Sequence, residues 1–513
     1  MSATGTGASN GTGDSVATRD ARPRRPRRGI VLFGIGALLI GSIVLDESSV
    51  RSSTEGSTGP SPAQGVAAIS AEPTVPSPDA VSTSWYCAEG TSNADGRADE
   101  TIVIASIAET RVDATITVMS GGDDPPVSRS VRLEPRELLE VPVSTIADAA
   151  EPGVVVEVVG GQAIVSHELV GQDDVAVEPC ARAAAANWYF ANGTTVRGAQ
   201  QFIVLFNPFG DDAIVDVTFL TDTGAMEPDL LQGYVVPRRS RVTLAVHDIV
   251  ERQELVAAHV HARVGRVVAE RTQLFDGSAS EGVPLRKGIG VSLGAVAPER
   301  VWELPYGESG AGFAQSIGVA NFGTRPTTVE ILIRLDDEET IAPKRADVAA
   351  GAVVAFDVGS LVPVGVRYAV TVTARDVEGN RAPVVAELLA SWPPGEGVRS
   401  VATSLGTTRT ARRWVIALPD LGAGTGAVVT VLNPSTKPVT AALVVARAGD
   451  TGGPISEPEM AIPAAEFGTF AATDAMGRVL VVNANGPVVV SLTIVGNSGA
   501  SASPGVPDPL ARG

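Results

Sequence analysis

The chain has 513 residues and a formal net charge of −19. Apolar residues make up 44% of it but aromatics only 4%, so its cores must be built mainly from Val, Ile, Leu and Ala; with 55 glycines and 35 prolines, turns are frequent. That balance argues against helical bundles and for an all-β chain of about three to five domains, and the acidic exterior disfavours nucleic acid and anionic lipid as direct partners.

Residues 1–28 read as a disordered, basic cytoplasmic tail: Ser, Gly, Thr and Ala, then Arg19, Arg22, Arg24, Arg25, Arg27 and Arg28. Residues 29–45 carry no charge, and their length meets the lower limit of about 17 residues for a membrane-spanning helix. The arginines in front of this run place the N-terminus in the cytoplasm and the bulk of the chain outside. The run ends in Asp46-Glu47-Ser48-Ser49 with no small-x-small site close behind, so the expectation is an uncleaved signal-anchor in the cell membrane. Ala37 and Gly41 have the small-xxx-small spacing of a helix-packing pair, although small residues in a short span are the plainer account. Residues 46–81 are rich in Ser, Pro and Thr and read as a linker; fully extended, it spans on the order of 100 Å at ~3.1 Å per residue.

The remainder of the chain is built on a repeat. Its clearest copy is residues 188–208, WYFANGTTVRGAQQFIVLFNP: an aromatic opener, a Gly-Thr turn and a strand stopped by Asn207-Pro208. Further openers stand at Trp85, Trp302 and Trp414, roughly 100–115 residues apart, one small domain each. Asn433-Pro434 ends the matching strand of the last copy, and every copy closes on a short apolar run such as Val267-Val268-Ala269-Glu270 or Pro383-Val384-Val385-Ala386-Glu387. The expected units are residues 82–182, 183–296, 297–408 and 409–498, followed by a disordered tail at 499–513. The second copy holds about seven strands, the density of an immunoglobulin-like sandwich, and closure of the four repeats into a propeller-like ring is the structural rival. A recurring Trp suits a plug for a loose Val-Ala core, with a sugar-stacking platform as the functional alternative.

The phrase Trp188-Tyr189-Phe190-Ala191-Asn192-Gly193, with its later Asn-Pro and closing Val-Ala-Glu, resembles the WYFAEG-type repeat of bacterial surface proteins. With Ser84-Trp85-Tyr86-Cys87 at its start, the chain is similar to DUF5719, an uncharacterised family of actinobacterial envelope proteins, from Trp85 to Val495. The resemblance implies an extracellular location and β repeats, and supplies no activity and no functional residues.

Chemistry is sparse. Cys87 and Cys180 are the only cysteines and sit at the two ends of the first copy, so a disulfide is expected. His259 and His261 share one face of a predicted strand, a metal-capable spacing that lacks further ligands. Asp336-Asp337-Glu338-Glu339 lacks the spacing of a tight calcium loop. Gly307-Glu308-Ser309-Gly310 does not make a nucleophile elbow, and Gly422-Ala423-Gly424-Thr425-Gly426 lacks the Lys and helix of a phosphate loop. The expectation is a non-catalytic scaffold or binding module for an envelope protein or cell-wall glycan, without cofactor or metal. The alternatives are an accessory subunit of an envelope glycosyltransferase or transporter, and a carbohydrate-active enzyme with a carboxylate pair hidden among the 58 acids.

Overall fold

A computed structural model describes residues 71–509, apart from 94–95, 123, 172–173, 279–285, 311, 337–340, 377, 381, 393–399, 447, 449–455 and 498. The expected tail and span, with Ala37 and Gly41, therefore lie outside the described residues. Among the described residues, no helix is long and apolar enough to cross a membrane.

The described chain is all-β, in several sheets of which none closes into a barrel. The first repeat supplies β1 (Ser82–Cys87), β2 (Asp99–Ser106), β3 (Val112–Met119), β4 (Val127–Leu133), β5 (Leu138–Pro142), β6 (Gly153–Val159), β7 (Ala163–Val170) and β8 (Val175–Pro179). They form two antiparallel sheets, β1-β6-β3-β4 and β5-β2-β7-β8. The same order recurs in residues 187–293, 301–405 and 411–504. In the last copy the β6 and β7 counterparts are one 19-residue strand, Arg478–Gly496, which passes from one sheet into the other.

Alternation sets the outer sheet. The β3 counterpart Ala213–Thr221 buries Ala213, Val215, Val217 and Phe219 and leaves Ile214, Asp216 and Thr218 half-buried, as a strand with one core face should. The inner sheet is covered on both faces. Its β2 counterpart Ala199–Asn207 is buried continuously from Gln201 to Asn207. One face fills its own sandwich and the other meets a neighbouring repeat.

The eighth strand of each repeat was not legible as a strand. Its counterparts Lys287–Leu293, Val401–Leu405 and Gly499–Pro504 are rich in Gly, Ala and Ser. Together with β8 they run around a common axis, each flanked by two of the others. Small residues let four backbones meet there, and Val177 N–H donates across the axis to Ser501 Oγ (2.9 Å). These contacts give a closed ring of repeats rather than a row of separate beads.

Two expectations need correction. Residues 499–513 are not wholly a disordered tail, because the eighth strand of the last repeat begins at Gly499 and Val506–Pro507 adds to the sheet beside Trp414. The end of the expected linker is built into the ring: Ala71 and Val75 are buried, and Val75 N–H donates to Pro507 O (2.9 Å). That last bond joins the two ends of the repeat region. The core of the first repeat also continues into Val415, Ala417, Val479 and Val481 of the fourth.

Candidate functional site

The chemistry-bearing side chains gather where repeats meet. Glu270, on the β7 counterpart of the second repeat, accepts from the N–H groups of Ala88 (3.2 Å) and Glu89 (2.7 Å) in the opener of the first. Glu387, at the same position in the third repeat, accepts from Ala191 (2.9 Å) and Asn192 (3.0 Å) in the opener of the second. Gly318, cross-strand from Glu387, permits the approach, since a Cβ there would stand 2.5 Å from Ala191 O. Arg271 closes on Glu387 as a two-pronged pair (3.0 and 2.7 Å), and Ser292 Oγ donates to the same carboxylate (2.6 Å). Such a pair needs its remaining lone pairs satisfied to offset desolvation, and here they are.

A second cluster lies between the first and second repeats. Glu89 pairs with Arg241 (2.6 Å) and accepts from Thr272 Oγ1, while Arg241 also reaches the carbonyl of Gly90. Burial pushes the Glu89 carboxyl up, but the Arg241 and Arg97 guanidiniums and the Thr272 bond carry it below its ordinary value. His167 Nδ1 lies 3.1 Å from Glu89 O and 3.3 Å from Glu100 Oε1, and its Nε2 lies 3.6 Å from Glu270. Burial works to neutralise the imidazole, yet Glu270 and Glu100 outweigh it and raise its pKa to about 9. Glu100 is raised by burial to about 7, and burial also raises Glu178, which accepts from Leu293 N–H (3.2 Å), well above its ordinary value. All of these groups except Arg97 are buried. They can hold protons and fix a joint; they cannot receive a substrate.

A cleft of about 660 Å³ does open to solvent between the first and second repeats. Asp174, Arg97, Gln200, Phe275, Asp276 and Lys287 line it. Arg97 lies over the Phe202 ring (4.6 Å) and 3.7 Å from Glu89, so the cleft wall is tied to the buried cluster behind it. Asp276 accepts from Ser278 N–H (2.7 Å), and the Ser278 bonds lower its pKa.

The residues singled out in the sequence take these places. Trp85, Trp188, Trp302 and Trp414 are all buried, which leaves no indole face for a sugar. Nε1 of the last three donates to Val267 O (2.7 Å), Val384 O (2.7 Å) and Val488 O (3.0 Å), each in the closing run of its own copy. Trp85 instead lies beneath the Arg182 guanidinium (4.6 Å). Asn207 ties its own loop together by donating to Asp211 O (2.9 Å) and Val236 O (3.0 Å), and Asn433 does the same with Lys437 O (2.8 Å) and Pro463 O (2.7 Å). Pro208 and Pro434 follow directly, just beyond the strand ends. Cys87 and Cys180 are bonded to each other with Cα atoms 4.8 Å apart. Their sulfurs and His167 lie within 4.8 Å of one another, but a disulfide offers no thiolate to a metal. His259 and His261 both reach Asn187 Oδ1 (3.0 and 2.9 Å), and His259 stacks on Tyr189 at 4.2 Å.

Glu270 and Glu387 were visible in the sequence as the ends of the closing runs, without a role. His167 was visible in the closing run of the first copy, also without a role; Asp174, Glu100 and Arg271 carried no signal, because each finds its partners on other strands or in another repeat.

A family profile described as a family of unknown function, DUF5719, matches residues 171–437. No curated protein matches the chain. Among solved structures, the Streptomyces avermitilis α-L-rhamnosidase complexed with L-rhamnose aligns at 10% identity over 74% of this chain and 53% of its own, with a TM-score of 0.13. The chain thus spans about half the length of that structure, and a likeness so slight carries no argument.

Proposed function

Because the chain belongs to the DUF5719 family, which has no assigned function, we propose from its own geometry that it is a non-catalytic binding module of the cell envelope. Four immunoglobulin-like sandwiches, locked as a ring, are held outside the cell by a single helix at residues 29–45. The ring presents the cleft between the first and second repeats to an envelope protein or a cell-wall glycan.

The observation that carries this reading is the contrast between the joints and the cleft. The joints are buried and their carboxylates are met by guanidiniums and backbone N–H groups of the neighbouring repeat, which supports a ring that holds its shape without a partner. The cleft sets an amide (Gln200), two cations (Arg97, Lys287) and an acid (Asp276) around the Phe275 ring, the mixed lining that suits a hydroxyl- and amide-bearing ligand. The test is titration of the full chain, in detergent, with solubilised cell-wall glycan fragments and with cross-linked envelope extract. Saturable binding lost in the Gln200→Ala/Asp276→Ala pair is expected. Absence of both glycan and protein capture would sink the reading.

The enzyme alternative has one observation in its favour. Asp174 and Asp276 line one cleft, and burial raises Asp174 to about 8 while Ser278 lowers Asp276. Acid–base glycoside hydrolysis needs that asymmetry. Asp174, however, is 2% exposed and occupied by backbone donors. Glycan hydrolysis by the intact chain that is abolished in Asp276→Asn would reverse this preference.

A further inference from the structure

We propose that the axis of the ring is built around an anion site, that the chain fills it with its own Asp174, and that the emptied site binds a small free carboxylate. Asp174 Oδ1 accepts from Val175 N–H (2.8 Å) and Ala500 N–H (2.7 Å), and Oδ2 accepts from Val401 N–H (3.0 Å). The fourth donor is Ile289 N–H. These four amides belong to β8 and its three counterparts, one from each repeat. A single side chain therefore bonds to all four.

The positions that match Asp174 in the other repeats are Gly288, Ser400 and Gly499, each directly before its donor. Gly288 and Gly499 have φ of +132° and +133°, and a Cβ on either would run into the Asp174 carboxylate. The space thus excludes a side chain at two of the other three positions, and the third, Ser400, is a small residue. Converging backbone N–H groups form a concavity that attracts negative charge. Burial pushes the Asp174 carboxyl up to about 8 against the pull of the four donors. It accepts in every one of these bonds, the pattern of an anion. The cleft reaches Asp174, so a small ion has a way in.

A cap on its own turn would need only the Val175 bond. The axial site predicts something that a turn cap does not, namely rescue by a free anion. The experiment uses the full chain with Asp174→Gly, which copies Gly288 and Gly499 and leaves the space open. Melting is followed in chloride buffer with rising formate at constant ionic strength. The expected result is a Tm several degrees below the parent and a saturable formate-dependent recovery of at least half the loss. The parent and Asp174→Asn, whose site stays filled, should not respond. If Asp174→Gly does not fold in chloride, recovery of folded protein on refolding in formate supports the site, and failure to recover overturns it. An unchanged Tm in Asp174→Gly, no formate response, or equal formate shifts in parent and variant overturns it as well. None of these outcomes depends on the ligand of the cleft.

Discussion

At two of the four joints a glutamate on the β7 counterpart reaches into the opener of the preceding repeat; at the other two the same strand position holds Ser166 or Ser491. The openers differ to match. Ala88-Glu89 and Ala191-Asn192 offer paired N–H groups to Glu270 and Glu387. Pro305 in the third opener has no N–H to give, and Ala417 in the fourth packs into the core of the first repeat. So the joints between the first and second and between the second and third repeats are built on that glutamate, and the two that complete the ring lack it and pair apolar packing with more exposed charges, Glu140 and Glu168 near Asp420 at one and Arg334 near Glu466 at the other. A buried pair adds little net stability over apolar packing of the same shape, but a wrong pairing strands a charge. Apolar contact is more forgiving of register. The ionic joints are therefore where neighbours must match, and the apolar ones are where the chain ends come together.

The largest effect expected is on the first repeat, which has one joint of each kind. Replacing Cys87 and Cys180 by Ser opens a loop with a sequence separation of 93. This should cost about 4–5 kcal/mol in the chain-entropy account. A single shifted urea transition is expected; two separated transitions would mean that the joints do not couple the repeats. Next, Arg271→Met leaves Glu387 charged and unpaired inside an ionic joint, a loss of about 3–5 kcal/mol. Restoring the balance with Glu387→Gln alongside should return much of it, and a double variant no better than the single would remove the pair from the account. At an apolar joint, Val415→Ala deletes buried methyl groups and should cost about 2 kcal/mol, independent of salt. A salt-dependent loss there would erase the distinction between the joints.

The two kinds of joint also mark how far the sequence could be read. Outer-sheet strands such as Ala213–Thr221 announce themselves because one face is wet and the pattern alternates. The repeat frame is visible because Trp188, Trp302 and Trp414 each need the carbonyl of a closing run, which ties opener and closer together in every such copy. The axial strands were missed because crowding at the axis selects Gly, Ala and Ser, which are poor strand formers by propensity. The ionic clusters were missed for a different reason. His167 meets Glu100 on a neighbouring strand and Glu270 in the next repeat, and no local spacing encodes such a meeting.

The smallest effect expected is the pH dependence of the buried cluster at the joint between the first and second repeats. His167 faces Glu100 on β2, Glu178 on β8 and Glu270 from the second repeat, with Glu89 and Arg241 behind them. Its folded pKa of about 9 lies above its ordinary 6.5, so its contribution is complete below about pH 6.5 and gone above about pH 9. Glu100, raised from 4.5 to about 7, contributes through its neutral form; that contribution is complete below about pH 4.5 and is lost as the pH climbs through 7. Both groups bind protons more tightly in the folded chain, so both slopes have the same sign. The urea midpoint should fall steadily from pH 5 to pH 9. Glu100→Gln should flatten the lower part of that fall and weaken the upper part less, because Glu100 is one of the groups that hold the His167 pKa up and Asp174, raised to about 8, titrates there as well. Val415→Ala should follow the parent at a constant offset, since it removes no titrating group and leaves Glu168, raised to about 7 by burial and by Glu140 and Asp420, in place. A midpoint that rises with pH would mean that the protons sit elsewhere, and that the ionic joints are held by charges other than these.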